Sequence, residues 1–218
     1  MTTSTLDLTG ATVPRPRWGR FLPGLGGLGL VAGLIAIMIS PAGDDTGETA
    51  TEVIAYAQSH ETWTVLIALF GIASIAFGGA FVAGLYDRLH AVATRMESVL
   101  ILVGGTVFTL CFALCWTIWT APLTDTPGNT AADLAQAQAY LSYDDIGWFV
   151  LAMAGVAATV MIIPASLAAI RAGLPAWLGW VSVLAGVASL GTVAFLGMFA
   201  WMAWIAVASV VLLVARRA

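Results

Sequence analysis

Glu52, Tyr56 and His60 recur every four residues with Glu61 next to them, and Asp133, Gln136 and Tyr140 repeat nearly the same spacing ahead of Tyr143, Asp144 and Asp145. Residues three and four apart share one face of a helix, so each set gathers carboxylates and a phenol along one line. Were the two faces to meet, their carboxylates and His60 would suit a divalent cation through hard oxygen ligands, or a cationic partner. Glu52, His60 and Asp133 are also the only candidates for acid–base chemistry. A single His in these segments and the absence of an H-x-x-x-H spacing argue against catalytic zinc. The plainer alternative is a pair of solvated faces on surface helices.

The remaining reactive groups carry less chemistry. Cys111 and Cys115 lie four apart on one helix face, where backbone geometry disfavours a disulfide between them. With no Met, His or third Cys at complementary spacing, a soft Cu(I) site is not expected either, and both read as small core residues. Gly24-Leu25-Gly26-Gly27-Leu28-Gly29 has the G-x-G-x-x-G form, with Asp44 downstream. An Arg- and Pro-containing segment stands where a nucleotide-binding fold needs a strand. Close helix packing explains these glycines better, as it does Ala80/Gly84 and Ala154/Ala158. Asp87-Arg88-Leu89-His90 and Arg95-Met96-Glu97 form a charged connection read as a salt-bridged, orientation-setting loop. No catalytic residue, cofactor or metal is assigned from the sequence.

The elements that must position these groups are set by composition. Of 218 residues, 60% are hydrophobic and 9% are charged, whereas a soluble domain carries about 25% charged residues. That leaves too little polar surface to cover a water-soluble globule. With a formal charge of -4 and no basic stripe to neutralise phosphates, nucleic-acid binding is excluded. Every basic residue is Arg, which with abundant Ala and Gly suggests a GC-rich bacterial genome.

No Asp, Glu, Lys, Arg, His, Asn or Gln interrupts Phe21–Gly43, Thr62–Tyr86, Ser98–Thr124, Ile146–Ile170 or Ala172–Ala215. Each of the first four blocks suits one helix of the roughly 20 residues that crosses about 30 Å of hydrocarbon. The fifth is too long for one crossing and divides at a tight turn near Phe195-Leu196-Gly197-Met198. The fold expected is therefore an all-α polytopic bundle of about six transmembrane helices in three hairpins, with short amphipathic helices in the first two outer loops. The spans are placed at about 21–40, 62–86, 99–121, 146–170, 177–195 and 198–215, in a single domain over 21–215 behind a disordered tail, 1–20.

Orientation follows from arginine, which resists translocation. Six spans put Arg15, Arg17, Arg20, Arg88, Arg95, Arg171, Arg216 and Arg217 on one side, the cytoplasm, together with both termini. The opposite loops hold Asp44, Asp45, Glu48, Glu52, Glu61, Asp125, Asp133, Asp144 and Asp145. All nine Trp fall near expected span ends, the interfacial position this side chain prefers.

The first two outer loops also align at an offset of 81, pairing Pro41 with Pro122, Asp44 with Asp125, Gly47 with Gly128 and Thr49 with Thr130, while Glu52 meets Asp133. The shared pattern is a proline exit, a turn and a capped helix, with Thr49 or Thr130 as N-cap. A parallel internal repeat of 21–90 and 99–172 is expected. In the fourth span, Pro164 reads as a structural kink.

The stretch Arg171-Ala172-Gly173-Leu174-Pro175-Ala176-Trp177-Leu178-Gly179-Trp180 resembles a widespread uncharacterised family of bacterial multi-pass membrane proteins, similar in size and in a Leu-Pro-x-Trp-Leu-Gly entry to the penultimate span. The resemblance covers the last third of the chain and implies membrane helices but no activity. Together these readings point to a non-enzymatic plasma-membrane protein embedded in the lipid bilayer, an accessory or interaction subunit. A membrane-protein partner or a homo-oligomer would engage its acidic outer cap. The alternative is a permease or facilitator for a small neutral or apolar solute, since ion-coupled transport generally needs ionisable groups within the membrane.

Overall fold

The computed structural model describes residues 21–39, 47–120, 131–194 and 196–214, and every regular element among them is a helix. In chain order these are α1 (Leu22–Met38), α2 (Ala50–Ser59), α3 (Glu61–Leu89), α4 (Arg95–Thr120), α5 (Ala131–Arg171), α6 (Ala176–Ala188), a 3-10 segment (Ser189–Ala194) and α7 (Leu196–Val214). Helices α3, α4, α5 and α7 are long and apolar enough to cross a membrane; α1 and α6 are apolar but shorter. Among the described residues the chain is thus all-helical, with four helices long and apolar enough to span a bilayer. Arg15, Arg17, Trp18, Arg20, Asp44, Asp45, Asp125, Thr130, Arg216 and Arg217 lie outside the described residues, as do both prolines that head the aligned loops.

Local chemistry sets the helix ends. Thr94 and Glu97 cap the start of α4 reciprocally: the Thr94 N–H donates to Glu97 Oε2 at 2.7 Å, and the Glu97 N–H donates to Thr94 Oγ1 at 3.2 Å. That exchange satisfies amide groups a helix start otherwise leaves open. Helix α5 stops at Gly173, whose φ of +98° costs an L side chain energy but not glycine. There the Gly173 N–H donates to Ile170 O (3.1 Å) and the Leu174 N–H to Ala169 O (2.9 Å), the paired bonds of a Schellman ending. Pro175 then caps α6. At the far end of α6 the chain tightens into the 3-10 segment and reverses. A Cβ on Gly197 would overlap the Thr192 backbone nitrogen, so only glycine admits so close a return.

Hydrogen bonds from arginine fix which helix ends lie together. Arg171, in the last turn of α5, pairs with Glu97 and donates from Nε to Val92 O at 3.3 Å. Arg88, in the last turn of α3, donates to Leu212 O near the end of α7 at 3.4 Å. The C-terminal ends of α3, α5 and α7 and the start of α4 therefore share one end of the bundle, where each cation also opposes the negative pole of its own helix. The charged connection thus acts as the clasp expected of it, with Arg171 as the partner of Glu97.

The bundle packs α4 against both α3 and α5, and α1 against α3 and α7. The Gly24–Gly29 motif lies on this last seam. A Cβ on Gly26 would come within 2.5 Å of the Phe77 carbonyl, and one on Gly27 within 2.6 Å of the Phe81 ring. Close packing, not a phosphate cradle, is what these glycines provide. Ala154 and Ala158 are likewise fully buried. Pro164 sits inside α5 without ending it.

Two expectations need correction. Trp116, Trp201 and Trp204 do not face outward: they are turned into the bundle core. There Trp201 meets Phe108 and Phe112 edge to face, with centroids 5.1 Å and 5.7 Å apart, Trp116 meets Phe112, and Trp204 meets Phe81. Aromatic pairing adds roughly 0.5–1.5 kcal/mol per contact beyond burial, enough to outweigh the interfacial preference of indole. Trp63, Trp148, Trp177 and Trp180 are exposed. Second, the second outer helix is not a separate element. Helix α5 is continuous for 41 residues, about 60 Å at 1.5 Å per residue, so its first turns extend past the expected span.

Candidate functional site

The end of the bundle opposite the Arg clasp carries the groups with chemical potential, and α2 and the start of α5 position them. Helix α2 begins with a complete capping box. The Thr49 hydroxyl accepts from the Glu52 N–H (3.3 Å) and donates to Glu52 Oε2 (2.9 Å), which also accepts from the Thr49 and Glu48 N–H groups at 3.0 Å each. The Thr49 hydroxyl first, then these two amides, hold the exposed Glu52 carboxyl below the usual glutamate range. The N-cap expected at Thr49 is therefore present. Its consequence is that Glu52 faces back along the chain and completes the helix start.

The chain turns at the end of α2, whereas the corresponding part of α5 runs on. The Tyr56 carbonyl accepts from the Ser59 hydroxyl (2.9 Å), the His60 N–H (2.9 Å) and His60 Nδ1 (3.1 Å). Side chains that compete for a helix carbonyl favour a corner over continuation, and His60 becomes the hinge between α2 and α3. The Ser59 hydroxyl also lies 2.8 Å from His60 Nδ1. The ring also stacks on Tyr56, with centroids 4.6 Å apart at 26°. Glu61 opens α3 and is exposed.

Helix α2 docks on the first turns of α5 through an apolar seam of Val53, Ile54, Tyr56, Ala57, Ala137 and Tyr140. The two segments, whose meeting the sequence leaves open, lie together, and their shared core is aliphatic and phenolic, with Asp133 buried one turn before Ala137. Val53, Ile54 and Ala137 are no more than 2% exposed. Asp133 is buried at 7% exposed, whereas Asp145 is exposed. The Asp144 side chain lies outside the described residues. Of the eight residues singled out, the fold gathers Tyr56, His60 and Tyr140 at or beside the seam. It leaves Glu52 in its cap and Glu61 and Asp145 facing outward.

Among the described residues no group of three or more His, Cys, Asp or Glu could hold a metal ion. The seam residues themselves were overlooked in the sequence, although Val53, Ile54 and Ala57 show the i, i+1, i+4 apolar spacing of one buried face. Comparison with protein-family models, with curated proteins and with solved structures found no match.

Proposed function

We propose that the chain is a bacterial plasma-membrane protein that crosses the bilayer six times and serves as a non-enzymatic accessory or interaction subunit. Its outer cap is the recognition surface. The observation that carries this reading is the division of labour in the cap. Glu52, Tyr56 and Tyr140 hold its two helices in place, while Glu48, Glu61 and Asp145 stand exposed. A rigid element that presents acidic groups, and spends its other polar groups on its own architecture, suits binding better than turnover.

Six crossings account for the placement of charge. Helix α6 with its 3-10 extension covers about 31 Å at 1.5 and 2.0 Å per residue, the thickness of the hydrocarbon layer. Helix α1 covers about 26 Å on the same basis. With all six helices crossing, the Arg88, Arg95 and Arg171 end faces the cytoplasm and the α2–α5 cap faces outward. A facilitator for a neutral solute is the weaker reading, because Phe108, Phe112 and Trp201 are packed into the bundle interior. The parallel repeat is part of the same proposal: α2 with α3 would correspond to the single helix α5, the hinge at His60 marking their divergence.

Two experiments test it. In a chain whose Cys111 and Cys115 have been replaced by Ala, Thr51→Cys and Asp145→Cys should react in intact cells with a membrane-impermeant maleimide, and Val92→Cys only after lysis. Labelling of Val92→Cys from outside refutes the orientation. Purification in mild detergent should recover a stoichiometric partner that is lost when Glu48, Glu61 and Asp145 are all changed to Arg. Recovery of monomer alone, or a partner indifferent to that change, refutes the role of the cap.

A further inference from the structure

We infer that the Arg end of the bundle holds one anionic phospholipid, an acyl chain in a cleft between α3, α5, α6 and α7 and its phosphate at Arg88. The cleft has a volume of about 300 Å³, at the small end of ligand sites. Its cause is visible in the helices that form it. Helix α6 buries only Gly179 and Gly186, so it leans on the bundle at its periphery. Facing it are the small side chains Ala165 and Ala169 of α5 and Ala208 of α7, which leave the space unfilled.

The chemistry of the walls selects the occupant. Leu89, Leu178, Val211 and Leu212 make them apolar along the direction of the helices. The Ser166 hydroxyl is spent on the Ile162 carbonyl at 2.7 Å. Among the described residues Arg88 is the only charged group lining the cleft, half-buried at its Arg end. Its bond to Leu212 O holds Arg88 beside the cleft. A cation at the end of an oily slot matches an amphiphile with an anionic head, and basic pockets between membrane helices on the cytoplasmic side bind such lipid head groups. Val207 and Val211, both on the cleft, are 54% and 45% exposed, so the slot communicates with the surface that lipid would cover.

This site rests on the membrane placement proposed above, and it is independent of what the outer cap binds. The full chain, reconstituted in nanodiscs of equal phosphatidylglycerol and phosphatidylcholine and released for native mass spectrometry, should retain one phosphatidylglycerol in preference to phosphatidylcholine. Arg88→Gln should lower that retention about ten-fold, the measure of one charge-assisted contact. Arg95→Gln, which removes an equal charge from an exposed position off the cleft, should leave it unchanged. Ala208→Phe, which fills the slot and spares Arg88, should abolish retention and keeps the test valid if Arg88→Gln misfolds. Equal losses at Arg88 and Arg95, equal retention of the two lipids, or lipid still held by Ala208→Phe would each overturn the site while leaving the membrane placement intact. A chain that does not enter nanodiscs would overturn both.

Discussion

Ile54→Ala should undock α2 and leave the bundle beneath it folded. Helix α2 has 10 residues, and isolated helices shorter than about 12–15 residues are marginal in water. Its persistence therefore depends on the seam with α5. Ile54 is 2% exposed at the centre of that seam, and truncating a buried Ile to Ala costs about 2–5 kcal/mol once the residual cavity is included. If that cost falls on local docking, opening of α2 becomes about thirty-fold to a few thousand-fold more frequent, at about 1.4 kcal/mol per factor of ten. Hydrogen exchange followed by mass spectrometry in detergent reads this directly. Amides of 50–59 should lose protection by that factor, up to the ceiling set by the free peptide, while those of 101–116 keep theirs. Thr51→Ala, at an exposed position of the same helix, should change neither. Undiminished protection of α2 in Ile54→Ala would refute the claim that the seam holds the cap. Equal loss throughout would refute the separation of cap from bundle.

Trp201 is 1% exposed, and its indole N–H has no partner among the described residues. Trp201→Phe removes an unsatisfied donor worth about 1–3 kcal/mol and keeps a ring in the stack, so thermal unfolding in detergent should shift little. Trp201→Ala should lose about 3–5 kcal/mol, and equal damage from both would contradict the stacking account. Acidification should loosen the start of α2. Hydrogen bonds present only in the fold lower the Glu52 pKa, so its stabilising effect is complete above the ordinary glutamate range and is lost as pH falls through the lowered value. Exchange of the α2 amides should rise on that descent in the native chain and become insensitive to it in Glu52→Gln. Gly197→Val places a side chain against the Thr192 backbone, and limited proteolysis should then cut the α6–α7 turn, which it spares in the native chain.

The helices were legible because each apolar block exceeds what a soluble element needs, and the caps because their chemistry is local. Thr49 with Glu52 announces a helix start within four residues, and Gly173 before Pro175 announces a stop. The clasp was half visible: the sequence marks Glu97 as charged and near Arg95, but the cation that reaches it is Arg171, more than seventy residues away. The cap was legible only in part. The four-residue period of Glu52, Tyr56 and His60 is real, yet period alone cannot say which side of a helix is wet. Val53, Ile54 and Ala57, on an overlapping arc, had the stronger claim to the inside because burial of apolar area outweighs the gathering of exposed carboxylates. Tryptophan was misjudged for a related reason. Proximity to a span end in sequence does not separate a ring at the lipid surface from one turned into the bundle, and Trp201 and Trp204 took the second course once Phe81, Phe108 and Phe112 supplied partners.

These two ends of the molecule are built on different physics. At the Arg end, the bonds from Arg88 to Leu212 and from Arg171 to Val92 and Glu97 join segments distant in sequence, so the helix termini are tied to one another by directional contacts. At the opposite end the two helices of the cap are joined by apolar contact over a separate small core, and α2 is connected to α3 through a hinge at His60. Apolar contact is non-directional, so α2 can shift along α5 at less cost than any helix terminus can move at the clasp. A force applied to the cap by a bound protein would accordingly be taken up at His60, on the α2 side. Helix α5, continuous from the seam to Arg171, would carry any remaining displacement along its length to the clasp and to the wall it contributes to the cleft beside Arg88.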